Sequence, residues 1–171
     1  MDRRTESTII VVGEKGIEPN FETMMKSARG YLFAAKEIYS VHHRRMTQTP
    51  KGVSLGPEHL NNMVGRISSA TILMALALEI VLKAKVLLFT GDINKTHDHA
   101  KLFSKFPDRE KEAAEARYTR LRHPAMRQTL VEALSYSATV FVKWRYMHEV
   151  GSVEASGGEM LAAFSAIADD L

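Results

Sequence analysis

"ATILMALALEIVLKAKVLLF", residues 70–89, is an apolar run of the length that crosses a membrane, interrupted by Glu79, Lys83 and Lys85. On a 100° helical wheel its apolar residues cover almost the whole circumference, the pattern of a helix enclosed on all sides. Each of the three charges would cost about 2.5–3.5 kcal/mol near a bilayer centre. The stretch therefore reads as the buried middle helix of a soluble α-helical bundle, with no membrane partner.

Working outward, the flanking segments carry helix punctuation. Phe21, Met24, Met25, Ala28, Leu32, Ala35 and Tyr39 step at threes and fours, one face of an amphipathic helix, with Asn20 as its N-cap. "HHRRMTQTPKGVSLGP" (42–57) is polar and broken by Pro50, Gly52, Gly56 and Pro57, and reads as a long loop. Pro57 suits the first turn of the central helix, and Gly91-Asp92 ends it. Asn94 or Thr96 is expected to cap a short helix with Leu102, Phe103 and Phe106 inward. Asp108 opens another that ends near Arg122, and Pro124 opens a long helix to about His148. "GSVEASGGEM" (151–160) reads as a flexible joint before a terminal helix at 159–169. The expected architecture is an all-α antiparallel bundle of about five helices. It divides into an arm over 1–18, a bundle over 19–150, and a joint with a C-terminal helix over 151–171.

Composition narrows the chemistry. The 171 residues suit one domain, and 45% apolar with 25% charged residues is ordinary for a globular protein. Without cysteine there is no disulfide framework, thiolate metal site or cysteine nucleophile, which fits a reducing cytoplasm. The apolar run Ile9–Val12 is too short for a secretory signal. No glycine-rich phosphate loop or nucleophile elbow is present, so no cofactor is expected.

The informative residues are polar ones on inward helix faces. Glu79 and Lys83 are four apart on the central helix, flanked by Ile72 and Val86, so partial burial is expected and the carboxylate needs a cation. On the last long helix Leu130, Leu134, Ala138 and Phe141 define an inward stripe that continues into Trp144, Arg145 and His148. Arg145 is a natural partner for Glu79, and His97 and Asp98 are further candidates for the same cluster, with Tyr146 beside it. Against this stands a plain reading, since Arg and His near a helix C-terminus complement its dipole. His97 and His99 flank Asp98, but two residues apart on a helix they point away from each other, so no metal site is expected.

"LALEIVLKAKVLLFTGD" (76–92), "KTHDHAKLFSKFPD" (95–108) and "FVKWRYMHE" (141–149), in that order, resemble the HEPN domain, a nucleotide-binding helical domain of eukaryotes and prokaryotes. The similarity covers about residues 68–150. The resemblance implies an all-α bundle, often a homodimer, associated with RNA or nucleotides and with bacterial defence or toxin–antitoxin systems that supply a cognate protein partner. Its catalytic members are metal-independent endoribonucleases with an Arg, four to six residues, then a His. In such a site the imidazole transfers protons and the guanidinium stabilises phosphorane charge. Arg145 and His148 have only two residues between them. Arg117 and His123 have five, but Tyr118 follows the Arg where a small polar residue is usual, and Pro124 follows the His.

"ARYTRLRHPAMR" (116–127) also holds Arg117, Arg120, Arg122 and Arg127 without an acid, a candidate phosphate-binding surface with Tyr118 as a stacking plane. The acids from Asp108 to Glu115 lie on the same short helix and compete for those charges. The reading this supports is an RNA- or nucleotide-associated module without efficient catalysis. A metal-independent endoribonuclease and a purely structural helical protein are the alternatives.

Overall fold

The computed structural model describes residues 20–48, 56–145 and 157–168, and every regular element among them is helical. Six helices lie among the described residues, in order: α1 (Phe21–Gln48), α2 (Pro57–Thr90), α3 (His99–Ser104), α4 (Asp108–Leu121), α5 (Leu130–Arg145) and α6 (Gly157–Ala168). The fold is an all-α bundle.

α2 is its axis. Packed by α1, α3, α5 and α6, it buries Ala70, Met74, Leu78, Val81, Leu82 and Val86, as its all-round apolar surface requires. α1 runs antiparallel to it: the Tyr39 hydroxyl meets Thr71 Oγ1 at 3.0 Å, while Phe21, earlier in α1, lies by Lys85, later in α2. Met25, Ala28, Leu32 and Ala35 form the buried face of α1, and Asn20 Oδ1 caps it by accepting from the Thr23 amide at 2.9 Å. Gly91 ends α2 in the left-handed region (φ 74°), a conformation that costs glycine nothing, and its amide donates to Leu87 O.

Four boundaries depart from expectation. α1 continues through "HHRRMTQ" to Gln48, because no glycine or proline interrupts it before Pro50. The short third helix is capped by Asp98, whose Oδ1 accepts from the Lys101 amide at 3.0 Å, and not by Asn94 or Thr96. Those two instead accept from the amides of Thr96 and Asp98, local turns that keep 92–98 out of the helix. α5 begins at Leu130, six residues past Pro124. Thr129 and Glu132 form a reciprocal capping box there (Thr129 N to Glu132 Oε2 2.8 Å, Glu132 N to Thr129 Oγ1 3.3 Å).

The fourth correction concerns the C-terminal helix. "GGEM" opens α6 instead of ending a joint, and Met160, Ala163, Phe164 and Ile167 are buried against α2, α4 and α5. α6 belongs to the bundle's core. At Gly157 an added Cβ would stand 2.8 Å from the Tyr39 hydroxyl, so this glycine is where α6 meets the α1–α2 pair. The arm over 1–18, the loop at 49–55 and residues 151–156 of the joint lie outside the described residues.

Candidate functional site

The best-defined polar cluster centres on Glu79, in the apolar middle of α2. It is 5% exposed and buried among leucine and valine, so its charge must be met inside the protein. Lys83, one turn on, donates to Oε1 at 2.8 Å. The same oxygen lies 2.9 Å from His97 Nδ1. On the other side, His99 Nε2 faces Oε2 at 3.9 Å, an ionic contact beyond hydrogen-bond length. Burial works to raise the Glu79 carboxyl, but His99 and Lys83, with the charge of His97 behind them, outweigh it. They hold the group at about 2 against an ordinary 4.5.

His99 continues the network inward. Its Nδ1 lies 2.8 Å from Ser137 Oγ on α5, and Ser137 also donates to Leu134 O at 2.8 Å. Both His99 and Ser137 are fully buried. With its one hydroxyl proton on Leu134 O, Ser137 Oγ accepts from the Nδ1–H of His99. Glu79, His99 and Ser137 thus link α2, α3 and α5, while Lys83 and the largely exposed His97 close the solvent side. Sealed in this way, the Ser137 oxygen reaches no substrate, and the arrangement locks helix register.

The expected members fare differently. Glu79, Lys83 and His97 are together. Asp98 is not with them, because its carboxylate is spent on capping α3. His99, set aside on the premise that 97–99 is helical, is the central member: the chain is non-helical through Asp98, so both imidazoles turn toward one carboxylate. Among the described residues no cluster suits a metal ion. The Arg145 and Trp144 side chains, and Tyr146 and His148 entirely, lie outside the described part, and Lys83 is the cation seen on Glu79.

The arginine-rich segment spans the end of α4 and the turn beyond it. Arg117 Nε donates to Ala166 O on α6 at 2.7 Å, tying α4 to α6. His123 is exposed past the helix end, its Nδ1 accepting from the Ala125 amide at 3.2 Å. The two residues of the five-spaced pair are thus occupied by different structural partners. Tyr118 is no stacking plane either, since it is fully buried; burial, and after it the Glu159 carboxylate, push its phenol up. Arg122 is half-buried, with an Nε atom that has no hydrogen-bond partner.

Arg120 and Arg127 are exposed, and no described acid pairs with them. Two of the four acids of α4 are used elsewhere. Asp108 Oδ1 accepts from Lys111 at 3.0 Å, and both Glu115 oxygens accept from the Leu130 amide that opens α5 (3.1 and 3.0 Å).

Comparisons with protein families, with curated proteins and with solved structures return no match for this chain. No described helix is long and apolar enough to cross a membrane.

Proposed function

We propose that the chain is an RNA- or nucleotide-associated helical module of the HEPN kind that binds its ligand without cutting it. One observation carries the reading: Arg120 and Arg127 are exposed, unpaired by any described acid, and set around His123 in a stretch without a carboxylate from Ala116 to Val131. Unpaired guanidinium groups at a surface are the ordinary means of neutralising phosphates. Two of the competing acids of α4, Asp108 and Glu115, are committed to Lys111 and to the start of α5, which favours a usable basic surface.

Binding is favoured over cleavage by how the catalytic candidates are used. Arg117 holds the Ala166 carbonyl, where a ribonuclease would need its guanidinium on the reacting phosphate. The sequence resemblance supplies the rest of the reading: a cytoplasmic homodimer working with a cognate protein in a bacterial defence or toxin–antitoxin setting. Phe33, 66% exposed on α1, is the kind of apolar side chain a second copy would cover.

End-labelled RNA incubated with the protein in EDTA, beside Arg117→Ala/His123→Ala and His148→Ala variants, tests this. Retarded but intact RNA is expected. Cleavage by the wild type that either variant abolishes would make the protein a metal-independent endoribonuclease. Neither binding nor cleavage would leave a structural helical protein.

A further inference from the structure

A second basic site lies on other helices. A cleft of about 590 Å³ opens between the first two turns of α1, the later part of α2 and the end of α6 at Ala168. Lys26 and Arg29 enter from α1 and Lys85 from α2; Glu22 is the one acid among the described lining residues, and Phe21 and Met25 form an apolar wall. Glu22, Lys26 and Arg29 fall four and three residues apart, so they share a face of α1. The antiparallel pairing of α1 and α2 sets Lys85 opposite them.

Lys85 is hard to explain as a structural residue. It is half-buried within an otherwise apolar stretch of α2. Its neighbour Lys83 is there for Glu79, but no described carboxylate meets Lys85, whose ammonium lies 6.0 Å from the centre of the Phe21 ring. That cation–π contact is weak compensation for partial desolvation. Lys26 also has no described acid partner. Two lysines without a described acid partner, with the positive end of the α1 dipole beside them, make a concave site that favours a compact, multiply charged anion. Its volume falls within the range of small-molecule sites, about 300–1,000 Å³.

We propose that this cleft binds a phosphorylated small molecule, with its phosphates on Lys26 and Lys85 and its apolar part against Phe21 and Met25. The inference does not rest on the RNA reading, because it uses different helices and different cations. A nucleic-acid backbone offers the same phosphate chemistry, and the test separates the two sources.

Calorimetric titration of the full chain with tripolyphosphate, beside the Lys26→Gln/Lys85→Gln and Arg120→Gln/Arg127→Gln variants, is decisive. Saturable binding by the wild type is expected, weakened about tenfold for each lysine removed and unchanged by the arginine substitutions. A Lys26→Arg/Lys85→Arg variant should retain it, which guards against a folding defect. Absence of wild-type binding would overturn the proposal. Binding lost equally in the arginine variant would overturn it in favour of the RNA surface.

Discussion

His99 Nδ1 and Ser137 Oγ stand 2.8 Å apart in the interior, joining α3 to α5 across 38 residues of sequence. The contact places the other ring nitrogen toward Glu79, so one imidazole fixes the positions of three helices. A buried network of this kind is costly when half-satisfied and specifies a single packing when complete.

His99→Ala should therefore destabilise the protein by about 3 kcal/mol, through the cavity and the stranded Ser137 and Glu79 groups. His97→Ala should cost well under about 1 kcal/mol, since its side chain is 71% exposed and water replaces it on Glu79. Urea unfolding of the two variants checks the asymmetry. Equal losses would mean that the solvent side of the cluster, not its interior, holds the helices.

Glu79 gives the fold a pH dependence of definite sign. Its carboxyl is held at about 2 in the folded protein against 4.5 ordinarily, so its contribution is complete above about pH 4.5 and is lost as pH falls toward 2. The full swing is about 3 kcal/mol at most. Unfolding free energies from pH 7 to pH 2 should show this loss in the wild type and not in Glu79→Gln. At neutral pH, Glu79→Ala should cost about 3–5 kcal/mol by stranding Lys83 and the imidazoles.

Thr129 tests the start of α5. Thr129→Ala removes one half of the capping box and should lower stability by about 1 kcal/mol, readable as a fall in melting temperature. Pro124→Ala should cost less, because Pro124 stands outside the helix.

Much of the fold was legible in the sequence. The all-round apolar pattern of 70–89 and the three-and-four spacing of Phe21 to Tyr39 place α2 and the buried face of α1, and Asn20, Pro57 and Gly91 mark true ends. Two of the misreadings, the starts of α3 and α5, share one cause: short-range hydrogen bonds that outrank a single punctuating residue. Pro124 looked like a helix start, but Thr129 and Glu132 make the better cap. The turns at Asn94 and Thr96 delay α3 to His99, and that delay hid the central member of the cluster. Ser137 showed no signal, because a serine on a helix gives no sign of the histidine 38 residues away that it will meet. Gly157 and Gly158 read as a joint, yet the first of them lets α6 approach Tyr39.

Arg120 and Arg127 are proposed to meet the phosphates of an RNA. The direct measurement is RNA affinity as a function of salt, for the wild type and for Arg120→Gln/Arg127→Gln, in EDTA. Weaker binding by the variant is expected, with a log–log salt slope shallower by about 0.7 for each lost contact with a single strand and the melting temperature unchanged. An identical affinity and slope in the two proteins would contradict it.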